Sequence, residues 1–183
     1  MRKQIKRTFR RALGSILVLG SLATPALAAV EKIDCSESRL ILDDFAGMTC
    51  ETLENEPGAD SRGQFDYYGV YGEHDEVFRN LELAVSGLRS YVDPELQLPL
   101  RAHFEDRFFW MAEATDWSEV KQAGRLNYIT FHLPFGNCIG FYLYEEPREQ
   151  GYKYALNGVF CHKGERSISL SDLQSYLGAL SFK

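Results

Sequence analysis

The sequence predicts an α+β fold, an antiparallel β-meander with helices packed on one side of it and two disulfides. Three observations carry this expectation. Residues 125–161 hold three aromatic and β-branched runs separated by short turn signals. Other stretches repeat apolar residues at helical spacing. Four cysteines, Cys35, Cys50, Cys138 and Cys161, follow an N-terminus with the composition of an export signal.

That N-terminus begins MRKQIKRTFRR, continues as an apolar run and ends at Pro25 and the small-residue triplet Ala26, Leu27, Ala28. Gly14, Gly20 and Pro25 break the apolar run, which is shorter than the roughly 20 residues of a spanning helix. Residues 1–28 therefore read as a cleaved signal peptide and residues 29–183 as a single α+β domain. Cleavage removes Arg2, Lys3, Lys6, Arg7, Arg10 and Arg11 and no acid, so the formal charge moves from −6 to −12. A chain this acidic is a poor electrostatic match to phosphate backbones or anionic lipid. The expected partner is a protein or small-molecule ligand in the cell envelope, not nucleic acid, with no stable membrane anchor after cleavage. The expected location is periplasmic or secreted, where cysteines pair.

Along the mature chain, Leu40, Ile41, Phe45 and Met48 recur at helical spacing behind Ser36 or Ser38, so residues 36–54 read as a helix tied back by Cys35 and Cys50. NEPGADSRGQ is a loop by composition. In residues 76–92 the stripe Val77, Leu81, Ala84, Val85, Leu88, Tyr91 and Val92 predicts a helix ended by Asp93-Pro94. Residues 95–124 give two periodicities, with Phe104, Phe108 and Met111 helical and a strand expected over 107–114. RLNYITFHL, CIGFYLYEE and YKYALNGVFC then read as three antiparallel strands. Ser169 or Ser171 opens a last helix with Leu173, Tyr176, Leu177 and Leu180 on one face.

Placing Cys138 opposite Cys161 aligns Ile139 with Phe160, Phe141 with Gly158 and Leu143 with Leu156, giving one continuous apolar side. The same register brings the two cysteines within disulfide range. A loop of that length closed by a disulfide gains about 3 kcal/mol. Tyr142, Tyr144 and Asn157 fall on the other side and form the candidate binding surface, since tyrosine joins an apolar body to a polar tip.

Two resemblances bear on activity. NCIGFYLY resembles the nucleophile segment of NlpC/P60-type cell-wall cysteine peptidases, with Asn137 and Ile139 where that family has an acid and a serine. It implies Cys138 as nucleophile and His162 as base, a cell-envelope hydrolase. Gly124, Arg125, Tyr128, Phe131, Cys138, Phe141, Gly158, Cys161, Gly164 and Leu170-Ser171 resemble the C-terminal pattern of a group of small exported bacterial proteins with no assigned function. The reading that follows is an exported non-catalytic binding or accessory protein. His74, His103, His132 and His162 are scattered, without metal-ligand spacing. Asp43-Asp44 and Glu145-Glu146 lack the alternating oxygen ligands of a calcium loop. Glu105, Asp106, Glu113 and Asp116 are the acids available for glycoside chemistry. No motif implies a cofactor or a metal.

Overall fold

The computed structural model describes residues 30–43, 45–54, 65–87, 90–94 and 98–183. The expected signal peptide and the 55–64 loop lie outside them. In chain order the elements are β1 (Val30–Ile33), β2 (Leu40–Leu42), β3 (Met48–Glu54), β4 (Phe65–His74), β5 (Val77–Ser86), α1 (Leu100–Arg107) and β6 (Lys121–Ala123). They continue as β7 (Leu126–Leu133), β8 (Gly136–Arg148), β9 (Gly151–Lys163), α2 (Leu170–Gly178) and β10 (Leu180–Phe182). Eight strands form one antiparallel sheet in the order β1-β3-β4-β5-β9-β8-β7-β6, and β10 pairs with β2 in a second, two-stranded sheet. The fold is thus the expected α+β type, an antiparallel sheet with two helices packed alongside. Two meanders, β3-β4-β5 and β6-β7-β8-β9, meet where β5 pairs with β9.

The C-terminal hairpin has the register read from its apolar pattern. Cys138 pairs with Cys161, Ile139 with Phe160, Phe141 with Gly158 and Leu143 with Leu156. The Cys138–Cys161 disulfide spans 4.1 Å between Cα atoms, and Cys35–Cys50 spans 5.1 Å. Both bonds join the nearest cysteines in sequence. Gly158 makes room chiefly for β5: a Cβ there would stand 2.6 Å from both the Asn80 carbonyl oxygen and Leu81 Cδ2.

Three expected elements differ. Residues 76–92 are not a helix, because residues 77–86 form β5. Val77, Leu81 and Val85 satisfy either period, since a four-residue step is two strand repeats and about one helical turn. Leu83 separates the two readings: it lies off the helical stripe, yet it is fully buried with Val77, Leu81 and Val85 on one strand face. Residues 36–54 are not a helix either. Leu40–Leu42 and Met48–Glu54 are strands, with Gly47 at φ +72° in the turn between them. The strand expected over 107–114 is replaced by the end of α1 and a 3₁₀ turn at Phe109–Glu113. Here the helical spacing of Phe104, Phe108 and Met111 prevails, because all three side chains enter one core.

The helices do not share one side of the sheet as expected: each covers its own face, because both faces of the C-terminal hairpin carry residues that need burial. On the face carrying Ile139 and Phe141, α2 buries Leu173, and Tyr176 stacks on Phe160 at 4.7 Å between ring centroids. Ser169 caps this helix in a reciprocal box with Asp172. On the face carrying Cys138 and Tyr142, α1 buries Leu100 and Phe104, with Phe104 against the bare backbone of Gly140. Val92 exchanges two backbone hydrogen bonds with Tyr152, and Arg148 Nη1 donates to the carbonyls of Gly87 and Ser90 at 2.7 and 2.6 Å.

Because the Asn80 carbonyl that a new methyl would meet is backbone, Gly158→Ala is expected to lower stability by about 1–3 kcal/mol. Urea denaturation will show this as a lower midpoint at unchanged slope.

Candidate ligand-binding cleft

Cross-strand partners share a face of the pleat, so one row of residues can be followed across the whole sheet. Successive Cα partners are Lys32, Glu51, Gly69, Glu82, Asn157, Tyr142, Asn127 and Gln122. Seven carry polar side chains and the eighth is glycine. Helix α1 divides the row. Tyr142 and Asn157 lie beneath the helix, whereas Glu51, Gly69 and Glu82 line an open cleft beside it.

The two tyrosines expected to form a binding surface are therefore interior, and Asn157 beside them is half-buried. Tyr142 and Tyr144 are 6 % and 5 % exposed, because α1 and its flanking segments cover this face of the hairpin. His103 of α1 packs edge-on against Tyr142 at 5.0 Å, and its Nε2 lies 3.4 Å from Asn157 Oδ1. Tyr142, Tyr144 and Asn157 do sit side by side, but as packing beneath a helix. The Tyr142 hydroxyl has no hydrogen-bond partner among the described residues. Burial pushes the Tyr142 phenol far up and the Tyr144 phenol up to about 12, with Tyr152 adding to the latter.

Cys138 and His162 do not form a thiol–imidazole pair. The Cys138 sulfur is bonded to Cys161, and no free cysteine occurs among the described residues. His162 pairs in register with Asn137, one residue from Cys138, so its side chain points to the opposite face. There Nε2 lies 2.7 Å from the Tyr176 hydroxyl. Burial, then Arg166, lowers the His162 pKa. Glu145 and Glu146 are taken up by Arg125 and Lys153, both at 2.9 Å. No three His, Cys, Asp or Glu side chains converge on a metal-sized space among the described residues.

The cleft measures about 700 Å³. Its floor is the uncovered sheet, with Glu51 from β3, Gly69, Tyr71 and Glu73 from β4, and Phe78, Asn80 and Glu82 from β5. Its wall is the end of α1 and the 3₁₀ turn, Arg107 to Trp110, and Phe135 with Lys163 closes one end. Trp110 and Phe135 meet Phe78 edge-on at 5.6 and 5.9 Å, and Trp110 stacks on Phe108 at 5.2 Å. These contacts fix the aromatic wall. Phe109 stands apart from them, 92 % exposed at the rim. Arg107 Nε donates to both oxygens of Glu82 at 3.1 and 3.3 Å, tying the last turn of α1 to the floor, and Lys163 Nζ lies 2.6 Å from Glu73 Oε1.

Glu51, Glu82, Phe78 and Phe109 escape sequence reasoning because each lies in a segment whose element differs from the expected one. Phe78 and Glu82 fall in the helix expected over 76–92, Glu51 in the helix expected over 36–54, and Phe109 in the strand expected over 107–114. The run Phe108-Phe109-Trp110, with the alternation around Leu83, was the available signal.

No family model matches the chain, and neither a curated protein nor a solved structure matches it. No helix among the described residues is long and apolar enough to cross a membrane.

Two outcomes are expected. Tyr142→Phe removes a hydroxyl that no described residue binds, so stability in urea should stay level or rise by about 1 kcal/mol, whereas a paired hydroxyl would give a loss. The second concerns pH. His103 is held below its ordinary pKa chiefly by burial and secondarily by Arg107, against the raising effects of Asn157 and Asp106; His162 is likewise lowered, with Asp172 and Glu76 opposing. Above the unfolded pKa of about 6.5 both states are neutral; as the pH falls, the unfolded chain takes up protons first. Stability should be lost from about pH 6.5 downward until the folded imidazoles titrate. Melting temperatures across that range should decline, and less steeply in His103→Gln.

Proposed function

We propose that the chain is an exported, non-catalytic binding or accessory protein of the cell envelope, and that it binds its ligand in the cleft between β3–β5 and α1. One observation carries the reading: a cavity of about 700 Å³ with aromatic walls and a few charged groups at fixed positions. Ligand sites commonly have this size and composition. Phe109 adds support, since at the rim it extends the apolar lining of Phe78, Trp110 and Phe135, and a contiguous apolar patch of this kind marks binding grooves.

The position in the fold agrees with binding. The sheet floor is held by the β5·β9 pairing and the Cys138–Cys161 disulfide, and the wall is held to it by Arg107 and by Phe104 on Gly140. A site built on such elements is preorganised, which lowers the entropic cost of binding. Export is supported by the signal-like residues 1–28 and by two disulfides, bonds that persist in oxidising compartments.

The test uses protein purified from the export compartment, whose mature chain should begin at Ala29. The neutral apolar dye Nile red should bind at one site and receive energy from Trp110. Phe109→Ala should weaken this binding about tenfold without changing the melting temperature. Equal dye affinity in wild type and variant would remove the cleft from the proposal.

A further inference from the structure

We propose that the cleft takes an organic cation with an apolar body, an amine whose ammonium group lies beside Glu51 and whose ring or chain lies against Tyr71, Phe78 and Phe109. This rests on the cleft being the binding site. The argument begins with charge. Five charged side chains line the cleft, and four of them pair off: Arg107 holds Glu82 and Lys163 holds Glu73. The Glu51 carboxylate makes no hydrogen bond or ion pair among the described residues. Lys32, its partner in register on the outermost strand, is exposed and forms no ion pair with it. The charge left over inside the cleft is negative.

The backbone beside Glu51 is shaped for that carboxylate. Gly69 is its cross-strand partner, and a Cβ there would stand 2.9 Å from Glu51 Cγ and 3.1 Å from Oε1. The glycine lets the glutamate lie across β4 toward the middle of the cleft. Around it are aromatic side chains, whose faces carry the negative part of the ring quadrupole and attract cations. An anion would meet only cations that already hold carboxylates. A neutral apolar ligand would use the aromatic lining but gain nothing from the Glu51 charge.

The experiment compares three probes of similar size: phenethylamine, protonated at neutral pH, 2-phenylethanol and 3-phenylpropanoate. Each is titrated into the mature protein while the Trp110 indole and the β3–β5 amides are followed by NMR. Phenethylamine is expected to bind about tenfold more tightly than the alcohol, with the carboxylate weakest. Glu51→Gln should bring the amine down to the affinity of the alcohol and leave the alcohol unchanged. Gly69→Ala, which displaces the carboxylate but keeps the charge, should weaken the amine selectively; circular dichroism confirms that each variant folds. Equal binding of amine and alcohol, or an unaffected Glu51→Gln, would overturn the cation while leaving the cleft as a site. Tightest binding by 3-phenylpropanoate would do the same in favour of an anion at Arg107 and Lys163. If no probe perturbs the cleft, both this proposal and the binding reading fall.

Discussion

The pairing of Cys138 with Cys161, with Phe141 set against Gly158 three steps along, is the constraint on which the rest of the structure depends. In a pleated sheet a slip of one residue turns every side chain of a strand to the other face. The disulfide forbids the slip covalently, and the apolar pattern opposes it energetically. With that register held, β9 receives β5 in a fixed frame, and through β5 the three N-terminal strands fall into line. Every later placement, from Leu83 in the core to Glu51 on the cleft floor, is counted from it.

The two faces then acquire different fates. The Phe141 face is apolar almost throughout and is closed by α2 and the small sheet of β2 and β10. The Tyr142 face carries a polar row too wide for α1 to span. Helix α1 has eight residues, about 12 Å of axis, against a sheet whose eight strands stand about 4.8 Å apart. It covers the hairpin end of the row, where Gly140 admits Phe104, and leaves the β3–β5 end open. The cleft is what remains of a wide sheet face after a short helix has taken its place. Under that helix Tyr142 is buried and Asn157 is half-buried against His103, while Glu82 and Glu51 of the same row face the opening.

Residues 125–163 were legible because several local signals agreed there: β-branched and aromatic composition, turn residues at both reversals, and two cysteines at matching positions. The final helix was legible for a similar reason, with Ser169 as its cap and Leu173 as its buried centre. In residues 77–86 the signals conflicted. Val77, Leu81 and Val85 serve both periods, and the charges at Arg79 and Glu82, both half-buried in the structure, favour neither. The 100–113 segment had the reverse ambiguity, and burial of Phe104 and Met111 together resolved it toward helix.

The sequence by itself determined the hairpin register, the cysteine pairing it implies and the α+β class, since each depends on neighbours or on partners brought together by one turn. Tertiary structure alone decided which face α1 would cover. That choice depends on Gly140 meeting Phe104 and on Arg107 reaching Glu82, contacts between segments 36 and 25 residues apart. The sequence also placed tyrosines on a face without showing what lay above it. Exposure is a property of everything packed around a residue, and no local pattern carries it.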